Sequence, residues 1–347
     1  MRGKRKHITG MLVCLALALL LTLPCLAESI DLFRVDDDET ATDPPMTVQA
    51  TPAPEEELPE EDDDDAAEEA SEDTAEEAEA ESLVIDAVYR PRTPYPFGED
   101  EEVLEIWFPR IKDADAALIL CDGQAVLIDA ADEKQSAAVL KLLEYLEIES
   151  LDAVINSHPH HDHLGGFARI ADEIYIGALY LAFPTGYNQT SVTAEEKAAE
   201  CGIPVLNYGD GDGFRVGGAM LTAINKSSPE DSENDRSTAI SLRFGERQML
   251  FLGDLEAPGL AKLYEQTDPS LLQAEVVKHP HHGISSLMSL PTLESVKISV
   301  ITNSTRVKTS INNLRHSRIN PLLTYRKWVH LVTNGEKWYA EAVKVPK

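Results

Sequence analysis

Residues 157–166 read Ser-His-Pro-His-His-Asp-His-Leu-Gly-Gly and follow directly on the apolar run Leu151-Asp152-Ala153-Val154-Ile155. A short apolar run bounded by turn residues reads as a strand. A strand that ends in a tight loop can turn His158, His160, Asp162 and His163 toward one point. Imidazole and carboxylate together suit Zn²⁺, and also Mn²⁺ or Fe²⁺. Gly165 and Gly166 let the backbone turn sharply beside such ions. The competing reading is a solvent-exposed, metal-sticky His tract. The spacing, the preceding strand and the trailing Gly-Gly agree on a built site.

The first 27 residues stand apart. Arg2, Lys4, Arg5 and Lys6 precede an apolar stretch from Met11 to Leu23, then Pro24 and the small-residue pattern Cys25-Leu26-Ala27. This is the grammar of a secretory signal cleaved before Glu28. An uncleaved anchor is the alternative, although the run is shorter than the roughly 20 residues of a spanning helix. The protein is therefore expected to be exported, extracellular or at the cell surface, with the N-terminus near membrane or wall. The formal charge of −31 is uneven: residues 28–82 carry 24 acids against the single base Arg34. With the +4 of the leader set aside, residues 83–347 hold −12. The 28–82 stretch has almost nothing to bury and is expected to stay disordered, as a self-repelling spacer. Cys121 and Cys201 remain after the leader, either as a disulfide or as two buried free thiols.

From residue 83 to 347 the composition suits one domain. Strands are expected at 103–108, 152–155, 174–181, 219–224, 274–277 and 298–301. Hairpins are expected around Asp122-Gly123, Gly245-Glu246 and Asn334-Gly335. Residues 135–146 have helical periodicity through Val139, Leu142, Leu143 and Leu146. Further helices are expected at 194–201 and from Pro258. Helices alternating with many strands suit two sheets packed face to face with helices outside.

Two more motifs end strands downstream: Phe251-Leu252-Gly253-Asp254, and Lys278-His279-Pro280-His281-His282-Gly283. Alone, each reads as a turn or a surface pair. Joined to the first array, they supply the imidazoles and the bridging carboxylate of a dinuclear centre. Two cations about 3.5–4 Å apart can share a hydroxide and stabilise charge on attacking and leaving oxygens.

The order of these blocks resembles the metallo-β-lactamase superfamily, and within it the subgroup of the ComEC-type hydrolase domain and phosphorylcholine esterase. Residues 113–117, 126–130, 157–166, 234–237, 250–256 and 278–283 carry the likeness. It implies a four-layer αββα sandwich of α+β class with metals at one edge. Transferred position by position, it implies two divalent ions, Zn²⁺ or Mn²⁺. His158 and His160 would hold one, Asp162, His163 and His282 the other, with Asp254 bridging. His281 would face substrate as an acid or donor; the reverse assignment of His281 and His282 stays open. Asp162, Asp254 and His281 are thus the expected catalytic groups. Asp129 would orient a ligand imidazole rather than bind metal. His161 and His279 are expected to be non-ligands, His330 a core or edge residue, and His316 part of a polar loop with Arg306, Lys308 and Arg315.

The chain departs from the family pattern in having no His from Leu164 to Gly253. The first site is then open, completed by water, or filled by a carboxylate such as Asp235. The expected activity is hydrolysis of a small or polymeric anionic substrate, phosphodiesters foremost, whether nucleic acid or phosphocholine-type wall decoration, by a monomer. An acidic domain with 6% aromatic residues disfavours an extended nucleic-acid groove. The alternatives are a lactonase or β-lactamase-like acyl hydrolase, and a metal-binding scaffold with little turnover.

Overall fold

Alternation of apolar side chains decides the architecture of the computed structural model, which describes residues 101–346, Phe97 and the short strand Leu32–Arg34. In Ala117–Cys121, Ile119 points into one buried layer and Leu118 into another. Gln124–Ile128 and Ala153–Asn156 repeat this, with Val126 and Ile155 on one side and Leu127 and Val154 on the other. Strands buried on both faces belong inside a layered structure.

These strands lie in a sheet that runs edge to edge through Trp338–Val343, Trp328–Thr333, Leu104–Phe108, Ala117–Cys121, Gln124–Ile128, Ala153–Asn156, Leu179–Leu181 and Val205–Asn207. A second sheet runs through Leu32–Arg34, Asp212–Val216, Ala219–Ile224, Ala239–Phe244, Arg247–Phe251, Val276–Lys278, Ile298–Ile301 and Asn320–Leu323. Their inner faces share one core, in which Ile106, Ile119, Val126 and Ile155 meet Phe214, Leu221, Leu242 and Val276. The outer face of the first sheet is covered by Ser136–Tyr145, Phe167–Glu173 and Gln189–Cys201, through Val139, Leu142, Phe167 and Ala198. Leu260 and Leu263 of Ala257–Gln266 and Leu314 of Lys308–His316 cover the second. The layers are αββα, as expected.

Each sheet is antiparallel at one end and parallel at the other. Loops that leave the carboxyl ends of parallel strands are where an open α/β sheet presents its functional groups. Here those loops hold Asp129 and residues 157–163 from one sheet, and Asp254, residues 279–282 and Thr302 from the other.

Some expectations change. The run 174–181 is two strands, Tyr175–Ile176 pairing with Ser150–Leu151, then Leu179–Leu181. They are separated at Gly177, where a Cβ would lie 2.4 Å from the Asp152 carbonyl oxygen. Leu32–Arg34 lies within the stretch expected to be unfolded, yet pairs with Asp212–Val216, giving that sheet edge a partner. The leader at 1–27 and the rest of 28–82 lie outside the described residues. Lys308–His316 is a helix, so His316 is on no loop. Cys121 and Cys201 are free thiols, but only Cys121 is buried. Among the described residues no helix is long and apolar enough to cross a membrane.

Candidate metal centre

Gln124–Ile128 ends on Asp129, whose φ of 57° is a left-handed backbone that Asp tolerates better than most residues. The buried Asp129 carboxylate accepts from Ser157 N (2.8 Å), Ser157 Oγ (2.7 Å), Asn156 Nδ2 (3.0 Å) and His163 Nδ1 (2.8 Å). It thereby clamps the start of the 157–166 loop to the strand beside it. His161–Leu164 then forms one helical turn that carries Asp162 and His163 back over the strand ends. From the other sheet, His281 and His282 have φ of 47° and 56°. This pair of left-handed residues turns the chain so that the two rings diverge. Gly283, at φ 111°, packs where a Cβ would meet Ile301 at 2.8 Å.

His158, His160, His163 and His282 have one ring nitrogen tied outward and the other directed inward. His163 Nδ1 donates to Asp129. His282 Nδ1 lies 3.0 Å from Asp115 Oδ1 and 3.2 Å from Thr302 Oγ1. His160 Nε2 lies 2.7 Å from Glu233 Oε2. His158 Nδ1 lies 3.2 Å from Ser157 Oγ, a hydroxyl that itself donates to Asp129. Acceptors behind a ring fix its tautomer and aim its other lone pair, the arrangement that supports metal-ligating imidazoles. The inward atoms are then His158 Nε2, His160 Nδ1, His163 Nε2 and His282 Nε2.

These inward atoms converge. His158 Nε2 and His160 Nδ1 are 3.0 Å apart. Asp254 Oδ1 is 3.1 Å from His163 Nε2, and Asp254 Oδ2 is 3.1 Å from His282 Nε2 and 3.9 Å from His158 Nε2. Asp162 Oδ2 is 3.2 Å from His282 Nε2. Ring nitrogens 3.0 Å apart are held by a shared proton or by a cation between them. His163 Nε2 and Asp254 Oδ1 face each other at 3.1 Å, buried and outside hydrogen-bonding alignment, and neither has another partner. Buried polar atoms rarely go unpaired without reason. The donor set of imidazoles and carboxylates fits divalent cations.

The electrostatics agree. Burial opposes protonation of His163, but Asp254 and Asp129 outweigh it and push the ring up to about 10. His282 is likewise raised against its burial by Asp115 and Asp254. Burial would raise Asp254, yet His163 and His282 hold it well below the usual carboxylate range. His158 moves the other way, lowered by burial and by the neighbouring His163. The buried carboxylates thus concentrate negative charge, and the centre favours positive charge among them.

The structure brings together His158, His160, Asp162, His163, Asp254 and His282 from the expected set. His282 is the buried member of the pair, while His281 sits at the rim with its side chain 22% exposed. His281 Nδ1 lies 3.3 Å from Glu256 Oε1 and its Nε2 3.8 Å from Asp254 Oδ2. His161 points away, 80% exposed. His279 is buried against Ser299 and the Ser285 carbonyl. His330 lies between Glu105 and Glu341, stacked on Trp107. Asp235 does not complete the first site. Its Oδ1 accepts from Glu256 N at 2.9 Å and Gly259 N at 3.0 Å, at the start of Ala257–Gln266. The carboxylate that reaches the first site belongs to Glu233, two residues earlier, and it meets His160 from behind.

Sequence alone assigned no role to Asp115, Thr302, Lys278 or Glu233, although Asp115 and Lys278 fall within its motif blocks. Asp115, His163, Asp254 and His282 each offer a ligand atom within 4.8 Å of the others, which alone would make Asp115 a ligand. Its oxygens are already engaged by the Lys278 ammonium, Thr302 Oγ1 and His282 Nδ1. That assigns Asp115 to orienting His282, as Asp129 orients His163. The signal for it was faint: one of two carboxylates in the 113–117 block, 167 residues from its imidazole.

A family model described as the metallo-β-lactamase superfamily matches residues 113–285. Among curated proteins, the uncharacterized protein YcaI of Escherichia coli is 27% identical over 192 residues, covering 52% of this chain and 22% of that protein. The chain thus spans about a fifth of the length of the curated relative it matches. Similar solved structures include the metallo-β-lactamase fold protein YhfI from Bacillus subtilis, at 13% identity and TM-score 0.45, covering 64% of this chain and 96% of that one. Another is MEM-A1, a subclass B3 metallo-β-lactamase from a soil metagenome library, at 16% identity and TM-score 0.37, covering 51% and 78%.

Proposed function

Since this chain belongs to the metallo-β-lactamase superfamily through residues 113–285, we propose that it is an exported, metal-dependent hydrolase that acts on phosphodiesters. The observation that carries the reading is the convergence on Asp254 of the inward nitrogens of His158, His163 and His282, each backed by a carboxylate or hydroxyl, with His160 Nδ1 beside His158 Nε2. His158 Nε2 and His160 Nδ1 would hold one ion. Asp162, His163 and His282 would hold the other, with Asp254 shared between them. Bound divalent cations would supply Lewis acidity and a hydroxide nucleophile near neutral pH.

The chain's own residues do the rest. Asp129, Asp115 and Glu233 keep the rings from rotating, so the ligand nitrogens are already aimed inward. Lys278 neutralises Asp115, which keeps that carboxylate behind His282 rather than in the centre. His281 at the rim is placed to meet substrate. Burial lowers its ring from the ordinary imidazole value, which favours the neutral form, a hydrogen-bond donor to a phosphoryl or leaving oxygen. The preference for phosphodiesters rests on the ComEC-type order of the motif blocks, and export on residues 1–27.

The test is turnover by the metal-reconstituted protein on bis-p-nitrophenyl phosphate against a panel of lactones and β-lactams. Diester hydrolysis that needs the metal supports the reading. Turnover of lactones alone would replace it with an acyl hydrolase, and turnover of neither with a binding module.

A further inference from the structure

We infer that Arg236, held in the corner between Phe183 and Tyr187 beside the 157–166 loop, anchors a phosphate oxygen of the substrate. The inference rests on the hydrolase reading above and names a recognition site for it. The Arg236 guanidinium carbon lies 4.7 Å from the Phe183 ring centroid and 5.4 Å from that of Tyr187. Those two rings meet edge to face, with centroids 4.8 Å apart. Arg236 Nη1 donates to the Tyr187 hydroxyl at 3.0 Å.

Both walls of this corner are tied to the metal loop. On the aromatic side, Asn188 Nδ2, next to Tyr187, donates to the Pro159 carbonyl at 3.1 Å, between His158 and His160. Asn207 Nδ2 donates to the Phe183 carbonyl at 2.5 Å, which pins the other ring. On the cation side, Arg236 N donates to Ser232 O at 3.0 Å, and Asn225 Nδ2 donates to Arg236 O at 3.1 Å. That turn contains Glu233, whose carboxylate touches His160. The guanidinium is therefore positioned by contacts that converge on one stretch, Pro159-His160.

Its charge is left over. Among the described residues no carboxylate pairs with Arg236, although Lys197, Lys226, Arg247, Lys262 and Lys278 all have one. Burying part of a cation without an anion is costly. Here two ring faces hold it instead, and Nη1 alone is spent on a protein acceptor. The remaining N–H groups keep the planar fork that matches two oxygens of a phosphate. A fixed positive group on the turn that carries Glu233 would draw an anionic ester toward the centre of an acidic domain.

The test uses the full-length, metal-loaded protein and Arg236→Ala, Arg236→Lys and Tyr187→Phe. Kinetics are measured on bis-p-nitrophenyl phosphate, an anionic diester, and on p-nitrophenyl acetate, a neutral ester, with inorganic phosphate as inhibitor. The ratio of kcat/KM for diester over neutral ester should fall about 10–100-fold in Arg236→Ala, the loss expected for one charge-assisted contact. The change should lie mainly in KM, and the inhibition constant of phosphate should rise with it. Arg236→Lys should recover part of the ratio. Tyr187→Phe, which keeps the ring and the cation, should lower the ratio a few-fold, and it keeps the question open to experiment if Arg236→Ala fails to fold. An unchanged ratio with equal loss on both esters would make Arg236 a loop staple and overturn this inference alone. A wild-type protein that hydrolyses neither ester overturns the hydrolase reading and this inference together.

Discussion

Replacing Glu233 with alanine isolates one imidazole support without disturbing the fold. Its carboxylate stands 2.7 Å from His160 Nε2, and the two side chains are 38% and 32% exposed. Truncation therefore strands no fully buried group; water takes the place of the lost acceptor. The contrast with Asp129 is informative. Asp129 is buried and accepts four hydrogen bonds, each costing about 1–3 kcal/mol if orphaned. Together they would consume much of a domain's stability of about 5–15 kcal/mol, so Asp129→Ala would report on folding. Loss of the group behind a ligand His typically weakens metal binding about 10–100-fold. Partial exposure places Glu233 at the lower end, about tenfold or about 1.4 kcal/mol. Competition of the apo-protein against a chromophoric chelator reads the effect. One of two metal equivalents should weaken about tenfold while the other keeps its affinity. Glu233→Gln should fall between, since its amide oxygen still accepts the Nε2–H but carries no charge. The apo-protein's unfolding free energy should shift by less than about 0.5 kcal/mol. Unchanged affinity for both equivalents, or equal weakening of both, would refute the assignment of Glu233 to His160 and the first ion.

Asp254→Ala should reduce hydrolysis to background while the protein stays folded by circular dichroism; unchanged turnover would remove Asp254 from the shared position. The His330 triad predicts a pH dependence of stability. Burial opposes charge on His330, but Glu105 and Glu341 outweigh it and raise the ring. A raised imidazole contributes fully below its unfolded value of about 6.5 and loses that contribution as pH rises through the folded value. Burial also opposes the charge of Glu105, yet its hydrogen bond to His330 holds it low. That contribution is present above about 4.3 and is lost on acidification. The stability difference between wild type and His330→Phe should thus be larger at about pH 6 than at about pH 9, and an increase with pH would contradict it.

The apolar strands were legible because both of their faces are buried. Leu118, Ile119 and Leu120 carry that signal in three letters. Asp212–Val216 and Asn320–Leu323 did not stand out, because Asp, Gly, Asn and Pro interrupt their apolar runs. Lys308–His316 buries only Ser310 and Leu314, too few residues for a visible stripe. The ligand residues were legible because His158, His160, Asp162 and His163 fall within one short stretch, 158–163. Their supports were not, since Glu233 is 73 residues from His160 and Asp115 is 167 from His282. Glu233 and Asp235 lie on one loop, and only the turn geometry decides that the first faces His160 while the second caps a helix.

The most direct test of the dinuclear centre is the metal content of the protein after reconstitution with zinc and exhaustive dialysis. About two tightly held equivalents per chain are expected, falling when His163 or Asp254 is replaced by alanine. Fewer than about one equivalent in the wild type, or a content indifferent to those replacements, would contradict the account.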